Sequence, residues 1–444
     1  MNAPRVDDTG GVAEHAAPGQ VARQPSTQSL RGLDWLNFLM ADVRDGLGPY
    51  LSVFLKGSQH WQAAEIGIAM ATSSIAAALC QIPAGLMVDS LKIKRLLVAG
   101  SGLLVAAGCV IIAYFPKLVP VIAAQIMLGA ASAVIPPALA ALSLGIVGRR
   151  QLDARISRNE SFNHGGNFIA AGLVGVLGMY FGYDWIFYLI CIFAVASALV
   201  VLLIRPSEID HDLARGGEKS RPDGKPIPIR ELLKLRDLKI FLVSVVLFHF
   251  GNAAMLPMAG QVLAQKHPGE DTIALSACII AAQLVMVGIA WLVGKAMANG
   301  VGRKTIFLVA LAVLPVRGVL FSLIDFPIGV VAIQLLDGVA AGIFGVIAIV
   351  IASDLMHGTG RFNLAQGLTA LCVGVGAGLS NLVLGFIVQA FGYSVGFLSL
   401  AVIAACALVF FAVFMPETKG GRCAAEEPSS SPNRPIDAKL GAQA

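Results

Sequence analysis

Long apolar runs joined by short polar connections make up most of this chain. About twelve of them fall between residues 33 and 415, and each is long enough for an α-helix that crosses roughly 30 Å of hydrocarbon with about 20 residues. The pattern therefore predicts an all-α polytopic membrane protein. The predicted spans are 33–56, 63–88, 95–115, 118–148, 155–181, 184–204, 239–263, 272–297, 304–324, 327–355, 362–390 and 393–415.

One connection is much longer than the others, and it divides the chain into two sets of six spans. It is charged and contains prolines. Neither end of the chain has an apolar core before the first or after the last span, so no cleavable secretion signal is predicted. The expected organisation is a disordered tail (1–32), an N-terminal six-helix bundle (33–204), an inter-bundle loop (205–238), a C-terminal six-helix bundle (239–416) and a second disordered tail (417–444).

Composition supports a membrane setting and removes several alternatives. Hydrophobic residues make up 57% of the chain and charged residues 13%, against about 25% charged residues in a soluble domain. The net charge of +5 is not accompanied by a basic patch interleaved with aromatic residues, so nucleic acid is not an expected partner. Six of the seven cysteines lie in apolar runs and no pair has metal-ligand spacing, so no metal site or cofactor is expected.

The lysines and arginines between the spans predict an orientation. They concentrate on the side that carries both termini and the inter-bundle loop, and the other side has little beyond Lys56, Lys117 and Lys266. Positive residues favour the cytoplasmic side. Both termini are therefore predicted to be cytoplasmic, with the protein in a plasma membrane, the inner membrane of a bacterium.

The two bundles repeat each other, and local motifs add a family resemblance. Gln125–Gly129 aligns with Gln334–Gly338 at an offset of 209 residues. The loop Gly85–Arg95, GLMVDSLKIKR, is similar to the G-x-x-x-D-R-x-G-R-[KR] loop of the major facilitator superfamily, and Met415–Gly420, MPETKG, resembles the end of its last span. The resemblance implies that superfamily's fold, two six-helix bundles related by pseudo-two-fold symmetry, working without a cofactor and as a monomer.

The same resemblance implies gating residues in this loop and in its repeat, GKAMANGVGRK. A carboxylate and cations across the turn would form a clasp that opens and closes during transport. Anchoring of Lys and Arg at the membrane interface is the alternative. The candidate gating residues are Gly85, Asp89, Lys94, Arg95, Gly294, Arg303 and Lys304.

The chain departs from the family pattern at two places. Gln125 stands where many proton-coupled members have an arginine in span 4. Span 5 contains AGLVGV, without the proline of the antiporter signature G-P-x-x-G-G. Proton exchange is therefore not established by these motifs, and efflux is favoured only somewhat over uptake.

Polar side chains converge near the middle of the predicted membrane. In the resembling fold, spans 1, 4, 7 and 10 line a central cavity, and here the polar groups lie about 10 to 20 Å from a membrane face at 1.5 Å per residue. Ionisable groups at this depth are costly and indicate a functional site. The candidate residues for substrate and proton are Asp42, Arg44, Asp45, Gln125, His164, Asn167, His249, Asn252, Gln334 and Asp337.

Asp42 and Asp45 are the preferred candidates for the coupling proton. They are three residues apart and share one helix face, whereas Arg44 points elsewhere. Two close carboxylates in a low-dielectric site do not both stay ionised, so one of them would bind a proton. A static network in which Arg44 neutralises one carboxylate is the alternative.

A second pair of opposite charges lies in the C-terminal half. Arg317 on span 9 and Asp337 on span 10 are at comparable depth, and we expect a structural ion pair between these adjacent helices. If Arg317 bound elsewhere, Asp337 would become another proton or cation site. Pro49 and Pro257 are 208 residues apart and predict matching bends in spans 1 and 7.

These patterns predict a secondary transporter that moves a small solute by alternating access, coupled to protons by symport or antiport. A divalent-metal exporter on the same fold is the alternative, because the carboxylates, histidine and amides of the cavity offer O and N ligands. The sequence contains no zinc-protease or nucleotide-binding motif and no Ser/His/Asp set at a membrane face. Catalysis and ATP drive are therefore not expected.

Overall fold

The structure is a computed structural model that describes residues 25–45, 47–148, 151–215, 229–232, 234–356, 359 and 362–419. The described residues form helices and no strand, which confirms the predicted all-α class. Most of both predicted tails and the middle of the inter-bundle loop lie outside the described residues.

In the N-terminal half, the first predicted span is described as two helical segments on either side of residue 46, which lies outside the described residues, and each of the next five spans is one helix. A π-helical turn, Phe54–Ser58, follows the second helix. The bounds are α1 Thr27–Asp45, α2 Leu47–Val53, α3 Ala63–Ser90, α4 Lys94–Tyr114, α5 Leu118–Val147, α6 Leu152–Phe181 and α7 Asp184–Val200.

The C-terminal half repeats this plan after one short helix, α8 Ile229–Leu232, in the inter-bundle loop. Its first span is built from two helices, α9 and α10, and five single helices follow. The bounds are α9 Arg236–Asn252, α10 Met255–Lys266, α11 Asp271–Ala298, α12 Arg303–Leu323, α13 Pro327–Leu355, α14 Phe362–Phe391 and α15 Tyr393–Phe414.

Eleven helical segments in the described part of the chain are long and apolar enough to cross a membrane. One of them, Arg236–Lys266, combines α9 and α10. The remaining predicted span, 33–56, corresponds to α1 and α2. α1 ends before residue 46 and α2 begins after it. The helices therefore follow the predicted order of six spans, a loop and six spans.

The break in the first span of the C-terminal half lies just before a proline. α9 ends at Asn252, and α10 begins at Met255, two residues before Pro257. A proline cannot donate to the carbonyl four residues earlier, and its ring clashes with that carbonyl. The carbonyl concerned belongs to Ala253, which lies between the two helices.

Two boundaries differ from the predicted ones because side chains extend the ordered structure. α1 begins at Thr27, where the backbone N and Oγ of Ser26 donate to the Glu208 carboxylate at 3.1 and 3.0 Å. At the other end of the chain, Glu417 accepts hydrogen bonds from the first two backbone N–H groups of α12 at 2.8 and 3.2 Å. Residues 417–419 therefore pack against α12 and are not part of a disordered tail.

The alternating helices define two sides of the membrane. We call the side with residue 25, the inter-bundle loop and residue 419 the terminal side, and the other the opposite side. The two halves meet along α3 with α14 and along α6 with α11. Small residues allow this approach, since a Cβ added to Gly67 of α3 would lie 2.9 Å from the Gly385 Cα of α14.

Candidate functional site

The two halves are joined by hydrogen bonds near the opposite side of the membrane. Ser52 Oγ donates to the Pro257 carbonyl at 3.0 Å, which joins the first span of one half to the first span of the other. Tyr50 Oη lies 2.7 Å from Ser276 Oγ. The Tyr183 hydroxyl, between α6 and α7, donates to the carboxylate of Asp271 at the start of α11. Together these contacts close the opposite side between the halves.

His164 lies on the seam between the halves, nearer the middle of the membrane. Its Nδ1 is 3.0 Å from Gln283 Oε1 on α11. Asn167, almost one turn further along α6, donates from Nδ2 to Asn163 Oδ1 at 3.2 Å. The structure therefore places both of these expected cavity residues on α6, with only His164 bound to the other half by a described hydrogen bond.

Four polar side chains of the C-terminal half form one network that joins α9, α12 and α13. Arg317 Nη1 lies 2.8 Å from Asp337 Oδ1, and the same nitrogen donates to Asn252 Oδ1. Arg317 Nη2 donates to Gln334 Oε1 at 3.0 Å. Gln334 Nε2 and Asn252 Nδ2 donate in turn to the Asp337 carboxylate, at 2.8 and 3.3 Å. The expected ion pair is thus one part of a network that includes three of the expected cavity residues.

The two charges of this network differ in exposure. The Arg317 side chain is 1% exposed, whereas that of Asp337 is 20% exposed. The arginine therefore lies behind the carboxylate, buried in the bundle. Removing one partner of a buried ion pair lowers stability by about 3–5 kcal/mol, so Asp337 stabilises Arg317 as its counterion. Asp337 is also the more accessible charge of the two.

The N-terminal half contains a polar pocket of about 270 Å³ between α1, α2, α3 and α5. Arg44 and Gln125, both expected from the sequence, line it. Gln125 Nε2 donates to the Ala69 carbonyl at 3.1 Å, which fixes the orientation of the amide. The sequence analysis missed three serines in this lining, although adjacent serines within an apolar run were a usable signal. They are Ser73, Ser74 and Ser132.

The two acidic residues of the first span are placed differently from one another. Asp42 is buried, while Arg44 lines the pocket. Asp45 is the last residue of α1, and its side chain lies outside the described part of the structure. A proton site shared by Asp42 and Asp45 stays a prediction.

His249 has the geometry of a histidine bound to its own helix. Its Nδ1 lies 3.0 Å from the Val245 carbonyl oxygen, and the rings of Phe248 and Phe344 pack 5.1 and 4.7 Å from its own. Among the described residues, no group of three His, Cys, Asp or Glu side chains is arranged to hold a metal ion. This geometry gives no support to the metal-exporter alternative.

The expected clasp after span 2 takes another form. Asp89 is exposed and forms no ion pair among the described residues, because the lysine opposite is turned inward. Lys94 is fully buried, and its Nζ donates to the carbonyls of Val88 and Leu91 at 3.0 and 3.1 Å. Arg95 Nε donates to the Val201 carbonyl at 3.1 Å. In this conformation Lys94 stabilises the turn through backbone carbonyls, and Arg95 joins the start of α4 to the end of span 6.

The corresponding loop of the C-terminal half contacts the MPETKG segment. Arg303 Nε lies 3.1 Å from Asp354 Oδ2, and Thr418 Oγ1 donates to the same oxygen at 3.3 Å. The backbone N–H of Lys304 is one of the two bound by Glu417. The two glycines of the expected gates, Gly85 and Gly294, face open space, with nothing within 4 Å of an added Cβ.

A comparison with known protein families decides the identity of this fold. The model described as the Major Facilitator Superfamily matches residues 33–327, which is more than half of the chain. The chain belongs to the major facilitator superfamily. As a member of this superfamily it is a multi-pass membrane transporter, and the predicted arrangement of two six-helix bundles is confirmed.

Relatives and solved structures agree with this assignment. Two proteins of Mycobacterium tuberculosis, from strains CDC 1551 / Oshkosh and ATCC 25618 / H37Rv, are each described as an uncharacterised MFS-type transporter and are 46% identical over 390 residues. The match covers 87% of this chain and 93% of theirs. Crystal structures of the nucleoside transporter NupG and of a mutant of it superpose with TM-scores of 0.70 and 0.71 at 15% identity. The superpositions cover 88% and 87% of this chain and 99% and 100% of the two NupG chains. They show that the fold is shared.

Proposed function

We propose that this transporter couples the movement of a small polar solute to protons, and that Asp337 exchanges the coupling proton. The observation that carries the proposal is the network of Asp337 with Arg317, in which the carboxylate is the accessible charge and the arginine is buried behind it. Intramembrane ionisable groups with this placement are typical of proton relays in transporters.

The network offers the buried arginine partners in either protonation state. When Asp337 is ionised, it forms the ion pair with Arg317. When Asp337 is protonated, the amide oxygens of Asn252 and Gln334 still accept hydrogen bonds from the guanidinium. These oxygens lower the cost of the protonated state, in which Arg317 would otherwise lack an acceptor. Because the network joins spans 7, 9 and 10, a change of protonation is coupled to how these spans pack.

The pocket of the N-terminal half supports a polar solute with oxygen acceptors. Arg44, Gln125 and Ser73 carry N–H or O–H donors and line one pocket of about 270 Å³. Ser74 and Ser132 line it too, but their hydroxyls donate to the carbonyls of Met70 and Gly129. A solute bound there would contact the first bundle, and the proton site would lie in the second. A nucleoside belongs among the compounds to be tested, because the structurally similar NupG is a nucleoside transporter.

The orientation predicted from Lys and Arg makes the terminal side cytoplasmic, in the inner membrane of a bacterium. The contacts near the opposite side then close the protein toward the outside. Transport would require these contacts to part, the Tyr183–Asp271 hydrogen bond among them, while the terminal side closes.

The test is proton movement in proteoliposomes that contain a pH-sensitive dye and receive pools of polar solutes. We expect a solute-dependent proton flux that disappears in Asp337→Asn, while exchange of labelled solute across the membrane continues. The sign of the flux relative to solute entry separates symport from antiport. Unchanged proton flux in Asp337→Asn would overturn the proposal, and its loss only in Asp42→Asn or Asp45→Asn would move the proton site to span 1.

Asp325→Asn is the matched control. Asp325 lies between α12 and α13, outside the membrane spans, and the hydrogen bond from Lys266 holds the pKa of its carboxyl below the usual range. The control therefore removes a full negative charge from the same half of the protein without touching the network. We expect its proton flux to equal that of the unmodified transporter.

A further inference from the structure

We propose that a second site, separate from the transport pocket, binds the phosphate of an anionic lipid on the terminal side of the N-terminal half. The site is a pocket of about 460 Å³ between the start of α1, the end of α5 and the start of α6. Arg31, Arg155 and Arg158 line it together with one carboxylate, that of Asp34. Three guanidinium groups and one carboxylate leave the pocket with a net charge of +2.

Asp34 and Arg155 form the fixed base of this pocket. Asp34 Oδ1 accepts a hydrogen bond from Arg155 Nη2 at 2.7 Å. Arg155 Nε donates to Asn159 Oδ1 at 2.6 Å, and Asn159 Nδ2 donates to Ser143 Oγ at 2.8 Å. Both Asp34 and Arg155 are buried. The base is therefore built from buried, mutually bonded groups, and it holds the neighbouring arginine in place.

Two guanidinium groups remain available to an anion. Arg158 binds both oxygens of Asp34, at 2.9 and 2.7 Å, through Nε and Nη2. Its side chain is still 59% exposed, and its Nη1 makes no hydrogen bond in the described part of the chain. Arg31 is exposed and forms no ion pair there either. Planar guanidinium groups match the geometry of a phosphate and bind it with charge-assisted hydrogen bonds.

The pocket faces lipid, because Arg158 begins a stripe that becomes apolar along α6. Positions 4, 11, 15, 18 and 22 residues after Arg158 lie on the same helix face. Nearest the arginine is Phe162, and the exposed residues Ile169, Leu173, Val176 and Tyr180 continue the stripe toward the opposite side. An acyl chain would lie along this stripe with its headgroup at the arginines.

The cavity-facing residues of α6 lie elsewhere on the helix. His164 is two positions beyond Phe162, about 200° around the axis, and it contacts Gln283 of the other half. None of the described residues that line the pocket of the N-terminal half is on α6, so a transported solute bound there would not reach the Arg158 stripe. This separation distinguishes the proposed site from the transport site.

Aromatic side chains place the pocket at the level of the headgroups. The half-exposed Trp35 packs against Phe38 and Phe162, with ring centroids 5.4 and 6.4 Å apart. The Arg158 guanidinium lies 5.4 Å from the centre of the Phe162 ring. Tryptophan is enriched at membrane–water interfaces. The order along the surface is thus cations, then aromatic rings, then aliphatic residues, which is the order of a lipid from headgroup to chain.

Quenching of Trp35 by brominated lipid tests the site directly. The other tryptophans, Trp61, Trp185 and Trp291, are replaced by Phe, and the variant is reconstituted in phosphatidylcholine with a small fraction of lipid brominated in its acyl chains. We expect brominated phosphatidylglycerol to quench Trp35 more strongly than brominated phosphatidylcholine. Arg31→Gln and Arg158→Gln should each weaken the phosphatidylglycerol affinity about fivefold, the effect of one cation near an anionic surface.

Controls decide between a built site and general attraction. Arg236→Gln removes an exposed cation on the same side at the start of α9, outside the pocket, and should leave quenching unchanged. Arg31→Gln leaves the Asp34–Arg155–Arg158 group intact, so it tests the site even if Arg158→Gln folds poorly. Native mass spectrometry of the unmodified chain counts the bound phosphatidylglycerol independently of the tryptophan replacements.

Two outcomes would overturn the proposal. Equal quenching by the two lipids, or an equal loss in Arg236→Gln, would reduce the pocket to nonspecific surface charge. Inorganic phosphate is the second arm. If millimolar phosphate displaces phosphatidylglycerol, or thermally stabilises the protein in a neutral detergent while the lipid does not, the pocket is a site for a soluble anion and not for a headgroup.

Discussion

Gly67 and Gly385 meet backbone to backbone where α3 of one half crosses α14 of the other. A Cβ on Gly67 would lie 2.5 Å from the Asn381 carbonyl and 2.9 Å from the Gly385 Cα. A Cβ on Gly385 would lie 2.8 Å from the Ala63 carbonyl. These atoms belong to backbone and do not yield as a flexible side chain would. The closed opposite side therefore depends on the absence of a side chain at both positions.

We expect Gly67→Val to disfavour this closed conformation. Overpacking at a close contact costs about 1–3 kcal/mol, which changes the ratio of two conformations by roughly 5- to 150-fold. Hydrogen–deuterium exchange should rise in the opposite-side ends of α3 and α14. Gly100→Val on α4, where an added Cβ meets nothing within 4 Å, is the control. Equal exchange in the two variants would show that the glycine contact does not control closure.

We expect Tyr183→Phe to weaken the same closure by a different route. The change removes the hydrogen bond to Asp271 across the seam, although the Thr272 backbone N–H still donates to that carboxylate at 2.9 Å. A hydrogen bond to a charged group contributes about 1.5–3 kcal/mol, so the open population should rise by roughly 10-fold or more. Hydrogen–deuterium exchange at the start of α11 measures it.

The control for this variant is Tyr180→Phe, which removes a hydroxyl from an exposed tyrosine near the end of α6, three residues before Tyr183. If both phenylalanine variants exchange alike, or if Tyr183→Phe exchanges as the unmodified protein does, the Tyr183 hydroxyl does not hold the halves together.

The sequence analysis was most successful where one helix or one repeat determines the structure. Apolar run length predicts α4, α12 and the other single spans within a few residues, because a span must match the thickness of the bilayer. The bend predicted at Pro257 corresponds to the break between α9 and α10, since the effect of a proline is local to its own helix. Depth along neighbouring helices brought Arg317 and Asp337 together correctly.

The contacts that were missed depend on how helices rotate and cross. Asp34 pairs with two arginines 121 and 124 positions away, and nothing in the spacing of either segment fixes that partnership. Lys94 turns inward to the carbonyls of Val88 and Leu91, and the spacing of charges in the loop does not distinguish this from a contact with Asp89. The Glu417 cap of α12 likewise joins segments that are distant in sequence.

The repeat itself breaks at the proposed proton site. At the offset of 209 residues, Arg317 and Asp337 correspond to Gly108 and Leu128. Those two are in contact, since a Cβ on Gly108 would lie 2.0 Å from Leu128 Cδ1. The same position in the two halves thus holds apolar packing in one and an ion pair in the other.

We expect this ion pair to affect stability in a non-additive way. Asp337→Leu leaves Arg317 buried without its counterion and should lower stability by about 3–5 kcal/mol. The double variant Arg317→Met, Asp337→Leu removes both charges and should recover much of the loss, because an apolar pair packs in their place, as at Gly108 and Leu128. The midpoint of thermal unfolding in detergent measures the difference.

The same variants separate stability from transport. The double variant should be folded and yet show no proton-coupled flux. Additive losses in the two single variants, with no recovery in the double, would mean that Arg317 is held by the amides alone and that its pairing with Asp337 contributes little.

We expect Glu417→Ala to destabilise the terminal end of α12. Its carboxylate accepts two backbone N–H hydrogen bonds at the helix start, where a negative charge also interacts favourably with the helix dipole. Loss of such a cap costs about 0.5–2 kcal/mol, and it also removes the positioning of Thr418 beside Asp354. Limited proteolysis in the 299–304 loop should become faster while the unfolding midpoint falls slightly. Glu160→Ala, which removes an exposed carboxylate on the same side, should change neither the rate of proteolysis nor the unfolding midpoint. Equal proteolysis of both variants would exclude a capping role for MPETKG.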